Sequence, residues 1–186
     1  MYCPYCDSEV ESTVRVISET YPVKGEDITI AAKVRFCNCC GKDLWDEELD
    51  AQNLLDAFAE YRKKHKLMQP EDIRATREKY GLSQTAFARV LGFGDKTITR
   101  YENGSIADAA QNNLIYLVRQ PSDFANLLEK NKDKISVSDY ETACAALENL
   151  RCRTIYADCQ KAYTYYSGER IKYSTKPQYW GDQKYA

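Results

Sequence analysis

The chain has 186 residues, of which 44% are hydrophobic and 29% charged, with a formal net charge of −2. This is ordinary globular composition, enough for about two or three short modules with modest cores. No apolar run approaches the roughly 18 residues that a membrane span needs, which argues against a membrane protein.

No charged start followed by an apolar stretch and a cleavage site opens the chain, so a cytoplasmic protein is expected. In that compartment eight cysteines imply metal binding or reduced thiols more readily than a disulfide framework. Charge is unevenly spread. Residues 1–64 hold 13 Asp and Glu against 8 Lys and Arg, whereas residues 65–120 hold 6 against 8. A surface for polyanions is therefore expected beyond residue 64.

The opening "MYCPYC" and the later "RFCNCCG" contain C-x-x-C pairs, Cys3 with Cys6 and Cys37 with Cys40. Such spacing bends the backbone so that two sulfurs aim at one centre, and two knuckles give a tetrahedral four-thiolate site suited to zinc. Iron is the chemical rival at the same four ligands. A closed thiolate shell leaves no position for water or substrate, which makes the site structural. Pro4 and Gly41 fit the tight turns, and Cys39 is expected to point away from the metal.

Between the knuckles, "EVESTVRVIS" and "DITIAAKVRF" are rich in β-branched residues, and "YPVKGED" supplies turn residues. They predict a small antiparallel sheet pinned by metal at one end. Residues 46–67 then predict a helix, with Leu54, Leu55, Phe58 and Tyr61 at helical spacing and charges that complement its dipole. His65, the only histidine, is expected to be solvated at the basic end of this helix.

From Pro70 the punctuation is that of short helices. Pro70 starts one and Gly81 ends it; Ser83 caps a second, with Leu82 and Phe87 as its staple, and Gly92 stops it. Gly94 turns the chain, Asp95 is expected to cap a third helix, and Gly104 ends it. Three helices with a tight turn between the last two describe a helix-turn-helix. Ile73, Phe87, Ala88, Leu91, Ile98 and Tyr101 are its expected core. Lys96, Thr97, Thr99, Arg100 and Asn103 are expected on the outer face of the third helix, which suits the major groove of double-stranded DNA. Arg100 is placed to pair with guanine, Lys96 to reach a base edge or phosphate, and Gln84 to anchor the backbone or clamp the neighbouring groove edge.

"CPYC", "CNCCG" and "LSQTAFARVLGFGDKTITRYENG" together resemble the YgiT/MqsA family, a zinc knuckle domain followed by an Xre-type helix-turn-helix, over residues 1–120. The resemblance implies that the zinc domain binds a toxin that cleaves messenger RNA, and that the carboxy-terminal domain dimerises and represses the operon. It maps the zinc ligands onto Cys3, Cys6, Cys37 and Cys40 and a base-contacting arginine onto Arg100. Where the best-known members carry asparagine, this chain has Lys96, and the two prefer different base edges.

The fold class expected is α+β: a zinc-bound antiparallel module over residues 1–66, a helix-turn-helix domain over 67–134 and a helical, Tyr-rich extension over 135–186. Leu114, Ile115, Leu117 and Val118 are expected to pack on the reader or across a homodimer seam. Cys144, Cys152 and Cys159, spaced 8 and 7 apart, are expected to pack along one helix face. The last 31 residues hold seven of the 15 tyrosines, interleaved with cations.

The expected function is a DNA-binding antitoxin that represses its own operon and contacts a toxin through the zinc module. The alternative is a stand-alone, phage-like regulator whose zinc module is structural or redox-sensing. An enzyme is not expected, because no nucleophile and base pair, phosphate-cradling loop or open metal position is present.

Overall fold

The structure is a computed structural model that describes the backbone of residues 1–166 and the side chains of residues 1–151. Residues 1–147 form one compact unit and a second begins at Glu148. The architecture is α+β; among the described residues the strands lie in the first 44 and the helices follow them.

Strands β1 (Tyr2–Cys3) and β2 (Ser8–Glu9) form a two-stranded ladder around the first knuckle. Strands β3 (Ser12–Val23), β4 (Glu26–Cys37) and β5 (Asp43–Leu44) form an antiparallel sheet in the order β3-β4-β5. The β3–β4 hairpin is longer than the sequence suggests, since Tyr21, Pro22 and Val23 extend the strand and only Lys24 and Gly25 turn. Their φ angles of 49° and 85° are both positive, as the tight hairpin turn that matches strand twist requires. Pro22 is tolerated because β3 is an edge strand.

Helix α1 (Glu47–Lys64) is capped by Asp46, whose carboxylate accepts from Leu49 N at 3.1 Å. It lies on the sheet face that carries Val23, Ile28, Ile30 and Ala32, with Ala57 at the contact and Phe58 and Tyr61 beside it. The expected stripe is corrected here: Leu54 and Leu55 are exposed, and Asn53 and Ala57 take the buried positions. The small side chain of Ala57 lets the helix approach the sheet closely. Asn53 has a different task. Its Oδ1 accepts from Lys33 N and its Nδ2 donates to Lys33 O, both at 3.0 Å, so a side-chain amide closes the open edge of β4 as another strand would.

His65 is exposed at the end of α1, as expected, and lies outside the cysteine cluster. It also stacks on Tyr61 at 4.2 Å between ring centroids, and its Nε2 lies 2.9 Å from the Glu26 carboxylate at the hairpin end of the sheet.

Helices α2 (Pro70–Glu78), α3 (Gln84–Val90) and α4 (Thr97–Glu102) follow, with Ser83 Oγ accepting from Ala86 N at 3.1 Å. All six expected core residues are buried. Helices α5 (Ala109–Leu117) and α6 (Pro121–Lys130) add Ile115, Val118, Phe124 and Leu128 to that core. Tyr80 stacks on Phe124 at 3.7 Å, and its hydroxyl donates to Val118 O at 2.6 Å. Of the four apolar residues expected to pack on the reader or across a homodimer seam, Ile115 and Val118 are buried in this core and Leu117 is exposed, next to exposed Tyr116. A 3-10 turn (Lys132–Lys134) leads into the long helix α7 (Val137–Tyr166). Cys144 is half-buried. The side chains of Cys152 and Cys159 lie outside the described residues, as does most of the Tyr-rich segment.

Candidate metal centre and helix-turn-helix face

Cys3 ends β1, Cys37 ends β4, and Cys6 and Cys40 follow each of them in a tight turn. The residue after each second cysteine is left-handed: Asp7 at φ 52° and Gly41 at φ 71°. Pro4 lies in the turn of the first knuckle, whose left-handed position is Asp7, and Tyr2 OH donates to the Asp7 carboxylate at 2.5 Å. In the second knuckle Gly41 N donates to Cys37 O at 3.0 Å.

These turns gather the four sulfurs within 4.8 Å of one another. Cys3 and Cys40 sulfurs are 3.7 Å apart and those of Cys6 and Cys37 are 3.9 Å apart. Zinc–sulfur bonds of about 2.3 Å in a tetrahedron place sulfurs about 3.8 Å apart, so the residues present fit the ion. Cys39 and Cys40 amides point at Cys37 Sγ, at 3.3 and 3.4 Å. Hydrogen bonding by the Cys40 amide, with that of Cys39, pulls the Cys37 thiol down to about 6 against the cost of burial. The Cys6 thiol is pushed up, first by its hydrogen bond with Cys40 and then by burial. Four crowded thiols cannot all ionise without a cation, and a divalent ion supplies the missing charge. Cys39 is exposed and stands outside the cluster. Leu44 packs under Cys3 and Cys37, and the Asp46 cap receives Arg35 Nε at 2.7 Å, which ties the metal end of the sheet to the start of α1.

The second face is built on α4. Lys96, Arg100 and Asn103 are exposed along one side of it. Two expectations are corrected. Thr97 turns inward and is buried, because it sits at the start of α4 where the helix meets the core. Asp95 does not cap the helix: Lys96 holds that position without a side-chain bond, and Asp95 makes a bidentate pair with Arg89 at 2.9 and 2.8 Å. That pair staples the turn between α3 and α4.

Under the face lies a buried carboxylate that sequence reasoning missed. Arg77 Nε and Nη2 donate to Glu102 at 2.6 and 2.9 Å, and Gln84 Nε2 donates to it at 2.8 Å. Thr99 Oγ1 in turn donates to Gln84 Oε1 at 2.8 Å. Gln84 and Thr99 are thus partly spent on orienting α4, while Arg77 also bonds Leu82 O at 3.0 Å. The network ties α2, α3 and α4 together from groups that no local spacing pairs.

The fold and the two faces define a class: a four-cysteine zinc module joined to a helix-turn-helix unit. The family described as the antitoxin component of bacterial toxin-antitoxin systems, MqsA, matches residues 1–131. The chain belongs to this family. A search of curated proteins gives no match.

Proposed function

We propose that the protein is an antitoxin that binds its own operator and represses its operon, and that its zinc module contacts a toxin, an RNA-cleaving enzyme. The observation that carries the DNA reading is the outer side of α4, where Lys96, Arg100 and Asn103 stand exposed on a helix oriented by buried Glu102. Arg100 pairs with a guanine edge, Lys96 reaches a base edge or phosphate at the helix start, and Asn103 and the accessible part of Gln84 meet the backbone. Thr97 and Thr99 serve this face from beneath it.

The zinc module is the acidic part of the chain, which favours a basic partner over DNA. Cys3, Cys6, Cys37 and Cys40 hold a structural zinc, whose role is to fold a module too small to stand without it. The working division is residues 1–66 for the metal and toxin, 67–134 for DNA, and 135–186 as an extension. Exposed Tyr116 and Leu117 on α5 support a homodimer, which would place two α4 helices on two half-sites. No described helix is long and apolar enough to cross a membrane, and the proposed place of action is the cytoplasm. No catalytic role is assigned.

The test is binding to duplex DNA from upstream of the protein's own coding sequence. Arg100→Ala is expected to lose about 10- to 100-fold in affinity, with unchanged circular dichroism and zinc content. Equal affinity in the variant would remove Arg100 from the reading.

A further inference from the structure

The junction between α1 and α4 holds a buried cation that neither face requires. Arg62, in the last turn of α1, is 4% exposed. Its Nε donates to Gln69 Oε1 at 2.9 Å and its Nη1 donates to Gly104 O at 2.8 Å. Burying a guanidinium is costly unless its donors are satisfied, and here the acceptors are neutral. One of them is the carbonyl just past the end of α4, where a helix carries partial negative charge that a cation complements.

Two apolar contacts close the same junction. Gly104 has φ +98°, and a Cβ on it would stand 2.7 Å from Leu55 Cδ2 of α1. Ile106 packs against the sheet cluster formed by Val23, Ile28, Ile30, Ala32 and Ala57. Exposed as Leu55 is on its outer side, its inner side therefore faces the end of α4. Helix α1 thus runs from the metal centre, where its Asp46 cap pairs with Arg35, to the stop of the recognition helix.

We propose that Arg62 is a positioning residue for DNA reading: from the zinc module it holds the carboxy-terminal end of α4, so that Arg100 and Asn103 are correctly presented only while that module is folded. The consequence for DNA rests on the function proposed above, whereas the clamp itself is a property of the fold. Anything that loosens the module, including loss of metal, then loosens the reader.

Amide hydrogen exchange on the full zinc-loaded chain tests the clamp. The amides of Asn103, Gly104 and Ser105 donate to the carbonyls of Thr99, Tyr101 and Arg100 at 3.1, 3.1 and 2.9 Å. Those of Phe87, in α3, and Leu91, at its C-cap, donate to Ser83 and Phe87 carbonyls at 2.9 and 3.1 Å and are the internal control. In Arg62→Met, exchange at residues 103–105 is expected to rise about tenfold with little change at Phe87 and Leu91, and Arg62→Lys is expected to restore part of the protection. Should Arg62→Met lose its zinc, Leu55→Ala carries the same test, because it opens the junction without stranding a buried polar group. Unchanged exchange at 103–105, or an equal rise in the α3 control, overturns the clamp.

DNA affinity separates the two proposals. A loss of about tenfold in Arg62→Met supports positioning. Full affinity in that variant overturns this inference alone, and absence of DNA binding by the wild-type chain overturns the DNA reading itself.

Discussion

Glu102 is the residue on which the orientation of α4 turns. Burial pushes its carboxyl up, but hydrogen bonds from Arg77 and Gln84 outweigh this and hold it below the ordinary 4.5. A depressed folded-state pKa contributes stability that is complete above the unfolded value and fades as pH falls through the folded one. The wild-type protein should therefore lose this contribution below about pH 4.5. Glu102→Gln is expected to destabilise the chain by about 3 kcal/mol at neutral pH, since it removes the buried anion of Arg77 and leaves only the exposed Glu78 carboxylate at 3.4 Å. In urea titrations it should also flatten the acid limb of the stability profile relative to wild type. An unaltered acid limb would show that other carboxylates govern it. The cysteines separate as cleanly: Cys39→Ser is expected to retain one zinc per chain by elemental analysis, whereas Cys37→Ser loses it. Loss of zinc from Cys39→Ser would place a fifth thiol at the centre.

Elements were legible in the sequence where local chemistry fixes them. The two C-x-x-C pairs announced the metal centre because their spacing is itself the geometry, and Ser83, Gly81, Gly92 and Gly104 marked helix ends because caps and left-handed stops are local events. What spacing cannot encode is pairing across the fold. Nothing in the local sequence marks Asn53, yet it bonds both backbone groups of Lys33, 20 positions away. Arg62 looked like one more cation in a basic last turn, yet its partner Gly104 is 42 positions away. Thr97 and Asp95 were misplaced for the same reason: burial of one, and the Arg89 pair of the other, depend on how α3 and α4 meet. The edge closure by Asn53 is testable. Asn53→Ala leaves the Lys33 N–H and C=O without partners at the sheet edge and is expected to cost about 1–3 kcal/mol in urea unfolding. A change below a few tenths would mean that water replaces the amide without loss.

At the scale of the described unit, the metal centre, the sheet, α1 and α4 form a continuous series of contacts within residues 1–147. The resemblance read from the motifs at the start is matched by membership of the MqsA antitoxin family over residues 1–131. What family membership leaves to be tested is the pair of activities proposed for the two faces, DNA reading at α4 and toxin contact at the zinc module. Their joint presence in one chain distinguishes an antitoxin from a stand-alone regulator.

The most direct measurement is growth of cells that express the small open reading frame adjacent to this gene, alone and then together with the chain. Arrest that the chain relieves, with the two proteins purifying as one complex, is the result this account predicts. No arrest and no complex, with DNA binding retained, would contradict the antitoxin reading and leave a zinc-dependent regulator.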